Sequence, residues 1–416
     1  MAVFRPFTAV RPDARYAAES LCPPYDVVDH DEAAAVISEN PRSFMNVTRA
    51  DAFFKPSEEY SDSVYARSAE NLENFIRDGI YTVDRQPHFY IYSEEFQGRT
   101  QTGIVGCASI DDYEKGVIKK HEVTKPEKET DRIKHFSACM ADTEPVFLTY
   151  RDDPEIRDIM EKRIAESGPE YEAEDDEGVT HRLWVLEDSS LTVRLSSLFD
   201  DIPAMYIADG HHRTASAVHV GMKLRAEDPD ASEDKEYNRF MAVAFPDSDL
   251  CVLPYNRLVK NLPGLTVKSF LQHLSAAAEV TPVEDPGHWP TERHTIYIYT
   301  GGSWYKAVFR KDLIDETDPV KRLDVSLLQD LVFSPILGIE DPRRDKRLDF
   351  SGGIDDHHVL MNAVDTGKAA AAFELCPVTV SEIMDVADSG CIMPPKSTWF
   401  EPKLGSGWFV HKIDKS

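Results

Sequence analysis

The chain has 416 residues, 42% of them hydrophobic and 29% charged, with 74 acidic against 46 basic side chains and a formal net charge of −28. That length exceeds what one core usually serves, so two or three packed units are expected, and the composition excludes a collagen, a coiled coil and wholesale disorder. The negative potential argues against nucleic acid or anionic lipid as the main partner, because both carry phosphate of the same sign.

Met1-Ala2-Val3-Phe4-Arg5-Pro6-Phe7 lacks the apolar run of a signal peptide. No later stretch reaches the roughly 20 apolar residues of a membrane span, so a cytoplasmic protein without a membrane partner is expected. Cys22, Cys107, Cys139, Cys251, Cys376 and Cys391 form no Cys-x-x-Cys pair, which suits reduced thiols rather than a disulfide framework or zinc ribbon.

In chain order, Cys22-Pro23-Pro24-Tyr25-Asp26 is held extended by its prolines, which places Tyr25 and Asp26 in a rigid turn ahead of a short helix from Asp29 to Ser38. A second helix is expected over about Ser57 to Asp78, ended by Gly79. From His88 the pattern turns to strands: Phe89 to Tyr92 and Thr102 to Cys107 read as a hairpin about Gln97-Gly98-Arg99. A charged stretch, Lys119 to Arg132, precedes an apolar strand at Pro145 to Tyr150, and the acidic tract Glu170 to Glu177 reads as a solvated loop within an insertion before the strand His181 to Leu186. Ala204 to Ala208 is an apolar strand that ends at Asp209-Gly210 and leads into a helix from His211 to Arg225. Beyond it, strands (Phe240 to Phe245, Thr295 to Tyr299, Trp304 to Phe309, Ala370 to Leu375) alternate with helices (Val267 to Ala278, Val325 to Leu331, Val380 to Ala387). This pattern predicts an α/β (α+β) fold: a first domain over 1–262 with an acidic insertion near 151–200, and a C-terminal α/β domain over 263–416.

Chemistry concentrates at Ile207-Ala208-Asp209-Gly210-His211-His212-Arg213-Thr214. A strand that delivers a glycine turn straight into a helix aims free backbone N–H groups and the positive end of the helix dipole at one point, which favours a phosphate there. The histidines and Arg213 add donors for phosphoryl oxygens, and Asp209 can hold Mg²⁺ or orient a histidine. The plain alternative has Asp209 capping the helix, surface histidines, and Arg213 paired with a carboxylate. A second cluster, Lys119-Lys120-His121-Glu122-Val123-Thr124 with Lys128, Asp131 and Arg132, reads either as a general base at Glu122 or as a solvated, charged helix start. Tyr25 and Asp26, and Lys396-Ser397-Thr398 within Pro394-Pro395-Lys396-Ser397-Thr398, sit in stiff loops suited equally to ligand contact or to packing, and Arg49 and Arg99 are further candidate anion ligands.

The order His-Glu, helix, strand, Asp-Gly-His-His-Arg, helix resembles the ParB/sulfiredoxin-like fold, specifically its free-serine kinases. Over nearly its whole length the chain also resembles domain-of-unknown-function family 1015, through Pro23-Pro24-Tyr25-Asp26-Val27, His121-Glu122-Val123-Thr124 and Pro394 to Thr398. The kinase resemblance implies a cytoplasmic phosphotransferase for a small hydroxyl substrate, L-serine, using ATP or ADP with Mg²⁺. It implies Glu122 as base, with Asp209, Gly210, His211, His212 and Arg213 holding phosphate and metal; His121 and Thr214 adjoin these positions, and Tyr25, Asp26, Thr124, Lys396, Ser397 and Thr398 stand beside them as candidate substrate contacts. A non-catalytic nucleotide-binding regulator and a phosphatase or nucleotidase remain the alternatives. Sulfiredoxin chemistry needs a cysteine where His211 stands, and neither a helix-turn-helix module, a Walker loop nor a Gly-x-Gly-x-x-Gly turn occurs.

Overall fold

The computed structural model describes residues 1–230, 232, 234–352 and 357–413. The chain divides into two compact units, Met1–Leu250 with the chain from Pro402 onward, and Cys251–Glu401. Each is a mixed α/β assembly. No helix among the described residues is long and apolar enough to cross a membrane. All six cysteines are free.

The first unit is built on a sheet whose strands run, edge to edge, Ile118–Lys119, Met205–Asp209, Val146–Tyr150, Arg239–Pro246, Arg99–Ser109, Phe89–Phe96, Thr180–Leu186 and Tyr171–Glu174, with Phe4–Arg5 pairing onto Arg99–Ser109. The expected hairpin is present and longer than its apolar cores: Phe89–Phe96 and Arg99–Ser109 are antiparallel and turn at Gln97 and Gly98, both at positive φ (49° and 75°), the geometry that matches strand twist in a two-residue turn. Leu148, Ile207, Phe89 and Ala242 are fully buried between the sheet and its helices, which explains why these strands read as continuous apolar runs rather than alternating ones. A smaller sheet, Tyr81–Val83, Ala9–Pro12, Val410–Lys412 and Ala141–Asp142, ties the C-terminal segment into this unit.

The helix expected from Ser57 is Asp62–Arg77, because Pro56–Glu58 forms a separate tight turn ahead of it. Only the second half of the acidic tract turns, over residues 175–178: Tyr171–Glu174 is an edge strand, with Tyr171 buried while Glu172 faces outward and pairs with Arg182 at 2.7 Å on the neighbouring strand. Charges on the outer face of an edge strand keep other chains from adding to it, so an acidic sequence and a strand are compatible here.

In the second unit an antiparallel sheet runs Ala278–Val283, Ser303–Phe309, Thr295–Thr300, Ala371–Leu375, Asn256–Val259, Leu348–Ser351. Asn256–Val259 lies inside that sheet, so this unit starts before the boundary expected at 263, while the strand Val410–Lys412 belongs to the first unit. The helix expected to reach Ala278 is Val267–Leu274, and Ala278 opens the edge strand, where Pro282 leaves no inner ladder bond unmade.

Leu148 is fully buried in the strand beside Met205–Asp209. Leu148→Ala is expected to destabilise the first unit by about 2–5 kcal/mol through lost burial and the cavity left behind, seen as a lower urea midpoint at unchanged slope.

Candidate functional site

Met205–Asp209 pairs in parallel with Ile118–Lys119, so both strands end on the same side of the sheet. That shared end brings the loop His121–Lys125 beside Asp209 and Gly210. The register against Val146–Tyr150 shifts between Ile207 and Asp209, an irregularity that re-aims the strand's last residues. Gly210 then turns the chain at φ 89° and ψ 28°, and the 17-residue helix His211–Glu227 begins. No side chain caps that helix. Its first backbone bond within the turn is Thr214 N to Gly210 O at 2.9 Å, which leaves the amides of residues 211–213 with no partner in the helix ladder. The Thr214 hydroxyl also donates to Gly210 O, at 3.1 Å, and fixes the turn from within.

The histidines pack against the His121–Lys125 loop. His121 is 1% exposed and meets the His211 ring edge-on, with centroids 4.6 Å apart. Neither ring nitrogen of His121 makes a hydrogen bond of normal geometry. Burial pushes its pKa down to about 4, although the Asp209 carboxylate and the Ile207 carbonyl favour the charged form. His211 is likewise driven well down, first by burial and then by His121. Its Nε2 accepts the His121 backbone N–H at 3.4 Å, which leaves the proton on Nδ1, 4.0 Å from Glu122 Oε2. His212 Nε2 accepts the Lys125 backbone N–H at 2.9 Å and so satisfies the start of the helix Pro126–Cys139. Burial and the charge of Lys128 lower the His212 pKa, against the pull of Asp26. Both histidines of the turn are therefore neutral, each with one N–H left to donate. Thr124 donates to Glu129 at 2.8 Å, inside the same loop-to-helix junction.

Asp209 is the ionised member. Burial opposes its charge, but Lys403, Arg213 and His211 together hold its pKa at about 2. Lys403 Nζ lies 3.8 Å and Arg213 Nη2 3.5 Å from Asp209 Oδ2. Arg213, expected from sequence as a phosphate ligand, is 8% exposed and folded beneath the turn, where Nη1 donates to Pro145 O at 2.6 Å. Gly210 leaves it that space: a Cβ there would sit 3.1 Å from Arg213 Nε. Among the described residues no group of three or more His, Cys, Asp or Glu side chains could hold a metal ion.

Tyr25 is fixed by its backbone N–H, which donates to Glu144 at 2.9 Å, and by the Arg132 guanidinium 3.8 Å above its ring. Asp26 is exposed beside it. Arg49 is spent on Asp51, at 3.0 Å, and on the Tyr25 and Val28 carbonyls, which stiffens this turn. Arg99 closes the hairpin at the start of a strand three places from Met205–Asp209 in the sheet order. Lys396, Ser397 and Thr398 belong to the second unit, where Lys396 has a φ of 59°, Ser397 Oγ donates to Pro394 O at 2.6 Å, and Arg257 Nη2 donates to Lys396 O at 2.9 Å. Arg132 is singled out from sequence, but neither Lys403 nor Glu144 is. Lys403 carries no local signal, and only the C-terminal segment's return to the first unit reveals it.

Fold and site thus define a two-unit mixed α/β protein with an uncapped, glycine-led helix start beside a His-Glu loop. The sequence matches the family described as "Protein of unknown function (DUF1015)" over residues 4–326, and the chain belongs to that family. No curated protein matches it. Similar solved structures include a free serine kinase in complex with AMP, at 12% identity and TM-score 0.37 over 75% of this chain and 91% of that one. SbnI with a C-terminal truncation, from Staphylococcus aureus, is similar at 11% identity and TM-score 0.38 over 74% and 87%. A conserved hypothetical protein from Pyrococcus furiosus is similar at 12% identity and TM-score 0.34 over 74% and 95%.

Two outcomes test this geometry. Gly210→Ala, which places an L-residue at φ 89°, is expected to cost roughly 1–2 kcal/mol of stability, measured by chemical denaturation. His121, at about 4 when folded against 6.5 when unfolded, binds fewer protons in the native state between those values, so its contribution is complete above pH 6.5 and is lost as pH falls toward 4. Relative to His121→Phe, the native chain is expected to lose roughly 3 kcal/mol across that window, read as the difference between their stability profiles against pH.

Proposed function

We propose that the protein is a phosphotransferase that moves a phosphoryl group from a nucleotide, ATP or ADP, to the hydroxyl of a small acceptor, with L-serine the acceptor favoured by the sequence resemblance. The observation that carries this reading is the uncapped start of the helix His211–Glu227, whose free amides and dipole face the loop that holds Glu122. Phosphoryl transfer asks a protein mainly for positioning and charge neutralisation, and these groups supply both.

In this scheme the amides of residues 211–213 and the N–H of His212 hold the transferring phosphoryl group. Glu122 accepts the acceptor's hydroxyl proton as the new oxygen–phosphorus bond forms and the bond to the nucleotide's leaving oxygen breaks. His211, whose Nδ1 faces Glu122, positions that carboxylate, and buried His121 fixes His211 in turn. Arg213 acts through Asp209 and the turn rather than by reaching out. Tyr25, Asp26 and Thr124 are the first unit's candidate substrate contacts. The donor set fits a Mg²⁺ carried in by nucleotide phosphates, with ionised Asp209 as its one carboxylate, and does not fit a protein-built cage. When bound, the ion would neutralise charge on the phosphoryl oxygens.

Phosphorus NMR of the full chain with Mg²⁺, ATP or ADP, and L-serine, with each component omitted in turn, is expected to show O-phosphoserine only in a complete mixture. Glu122→Gln is expected to lower turnover by about 10²–10⁴ while the protein stays folded. Nucleotide that binds yet stays intact under every condition would make the chain a nucleotide-binding regulator instead, and nucleotide hydrolysed without any acceptor would make it a phosphatase.

A further inference from the structure

The N-terminal segment and the helix Pro126–Cys139 line a cavity of about 380 Å³ that reaches from Tyr25 and Asp26, the phosphotransfer scheme's candidate substrate contacts, to residues that scheme does not use. Its volume suits a small organic molecule. On its wall Thr48 is 2% exposed, and its hydroxyl has no hydrogen-bond partner. A buried hydroxyl left unpaired costs free energy unless a bound group answers it, and such groups mark sites that a ligand completes.

The charges of the lining decide what that ligand carries. In the interior they cancel: Arg49 is held by Asp51 at 3.0 Å, and Arg132 by Asp131 at 2.7 Å with Glu144 at 3.8 Å. His30 pairs with Asp31 at 3.3 Å, and His135 is driven by burial to about 4 and is neutral. What remains on the lining is Asp26, Asp29, Glu59 and Glu127 against Lys128 alone. Asp29 is spent on capping the helix His30–Glu39, which leaves three carboxylates facing one lysine. The cavity's tyrosines already take cations on their rings, Arg132 over Tyr25 at 3.8 Å and Lys134 over Tyr65 at 5.5 Å, and the third, Tyr60, is 60% exposed. Aromatic faces, surplus carboxylates and an unpaired hydroxyl are the groups that recognise an ammonium ion on an apolar body.

We propose that this cavity binds a small organic amine in its ammonium form, with Thr48 Oγ accepting one N–H and Asp26, Glu59 and Glu127 balancing the charge. The inference shares Asp26 with the phosphotransfer reading, but it is tested by binding without nucleotide and not by turnover, so its failure and that reading's failure are distinguishable.

The test is isothermal titration of the full chain with tryptamine and with indole-3-propionate, two probes alike in shape and opposite in charge. Tryptamine is expected to bind at one site per chain and to weaken as salt rises, while indole-3-propionate gives no saturable heat. Thr48→Val is expected to weaken tryptamine about tenfold by removing one charge-assisted hydrogen bond. The exposed double variant Glu59→Gln with Glu127→Gln, which leaves the core untouched, is expected to weaken it and to flatten the salt dependence. Absence of tryptamine binding at millimolar concentration overturns the proposal. So does equal binding of the two probes, or tryptamine affinity unchanged in both variants.

Discussion

One backbone geometry governs the first unit's chemistry. The strand Met205–Asp209 passes its chain to the helix His211–Glu227 through a single residue at φ 89°, a conformation open to glycine and strained for the other residues. Because that residue has no side chain, nothing caps the helix from within and the Arg213 guanidinium can lie directly beneath it. A serine or aspartate at the same place would satisfy the orphan amides itself and remove the donors that the proposed function assigns to a phosphoryl group.

Beneath the turn runs a chain of buried charge. Asp209 meets Arg213, the charge of Arg213 acts on Glu144, and Glu144 in turn faces Arg132, which is held by Asp131. Glu144 also accepts from the Tyr25 backbone and from Ser406 Oγ, at 2.9 and 3.1 Å. Such arrays gain little net stability, because desolvation offsets most of the Coulomb attraction, but deleting one member strands the others. Their consequence here is placement: the Pro23–Val27 turn and the C-terminal segment are both referred to the same ionic frame that ionises Asp209. The motif near the N-terminus and the turn near residue 210, far apart in sequence, are two ends of one electrostatic structure.

This explains which parts could be read from sequence. Strand, glycine and helix at 205–227 are specified locally, by an apolar run, a turn residue and helical spacing, and were visible with nearly correct bounds. The hairpin at Gln97-Gly98 was visible for the same reason. The parts that escaped depend on long-range pairing. Tyr171–Glu174 is a strand because of its neighbour, not its composition, and Lys403 meets Asp209 only through the C-terminal return. The bond from Arg213 to Pro145 O is likewise a long-range contact with no local signal, since a guanidinium suits a phosphate ligand and a backbone staple equally.

The net charge of −28 does not oppose the proposed phosphate site, because charge acts over a short range. At physiological ionic strength the Debye length is about 8 Å, so a bound phosphate responds mainly to the groups around the turn and little to the rest of the surface. Near the turn the balance differs from that of the whole chain: Lys403 and Arg213 flank Asp209, Lys120 acts on His211, and Lys125 and Lys128 act on His212. The helix start adds a further partial positive charge from its free amides. Burial first, with these lysines adding to it, keeps both histidines neutral, so the turn's positive charge comes from the lysines, Arg213 and the backbone while its histidines stay free to donate a proton. Carboxylates lie near the turn as well, Glu122 beside His211, Glu129 and Asp26 near His212, and Glu144 near Arg213, so in the proposed function the anion is selected by the position of the free amides rather than by overall attraction.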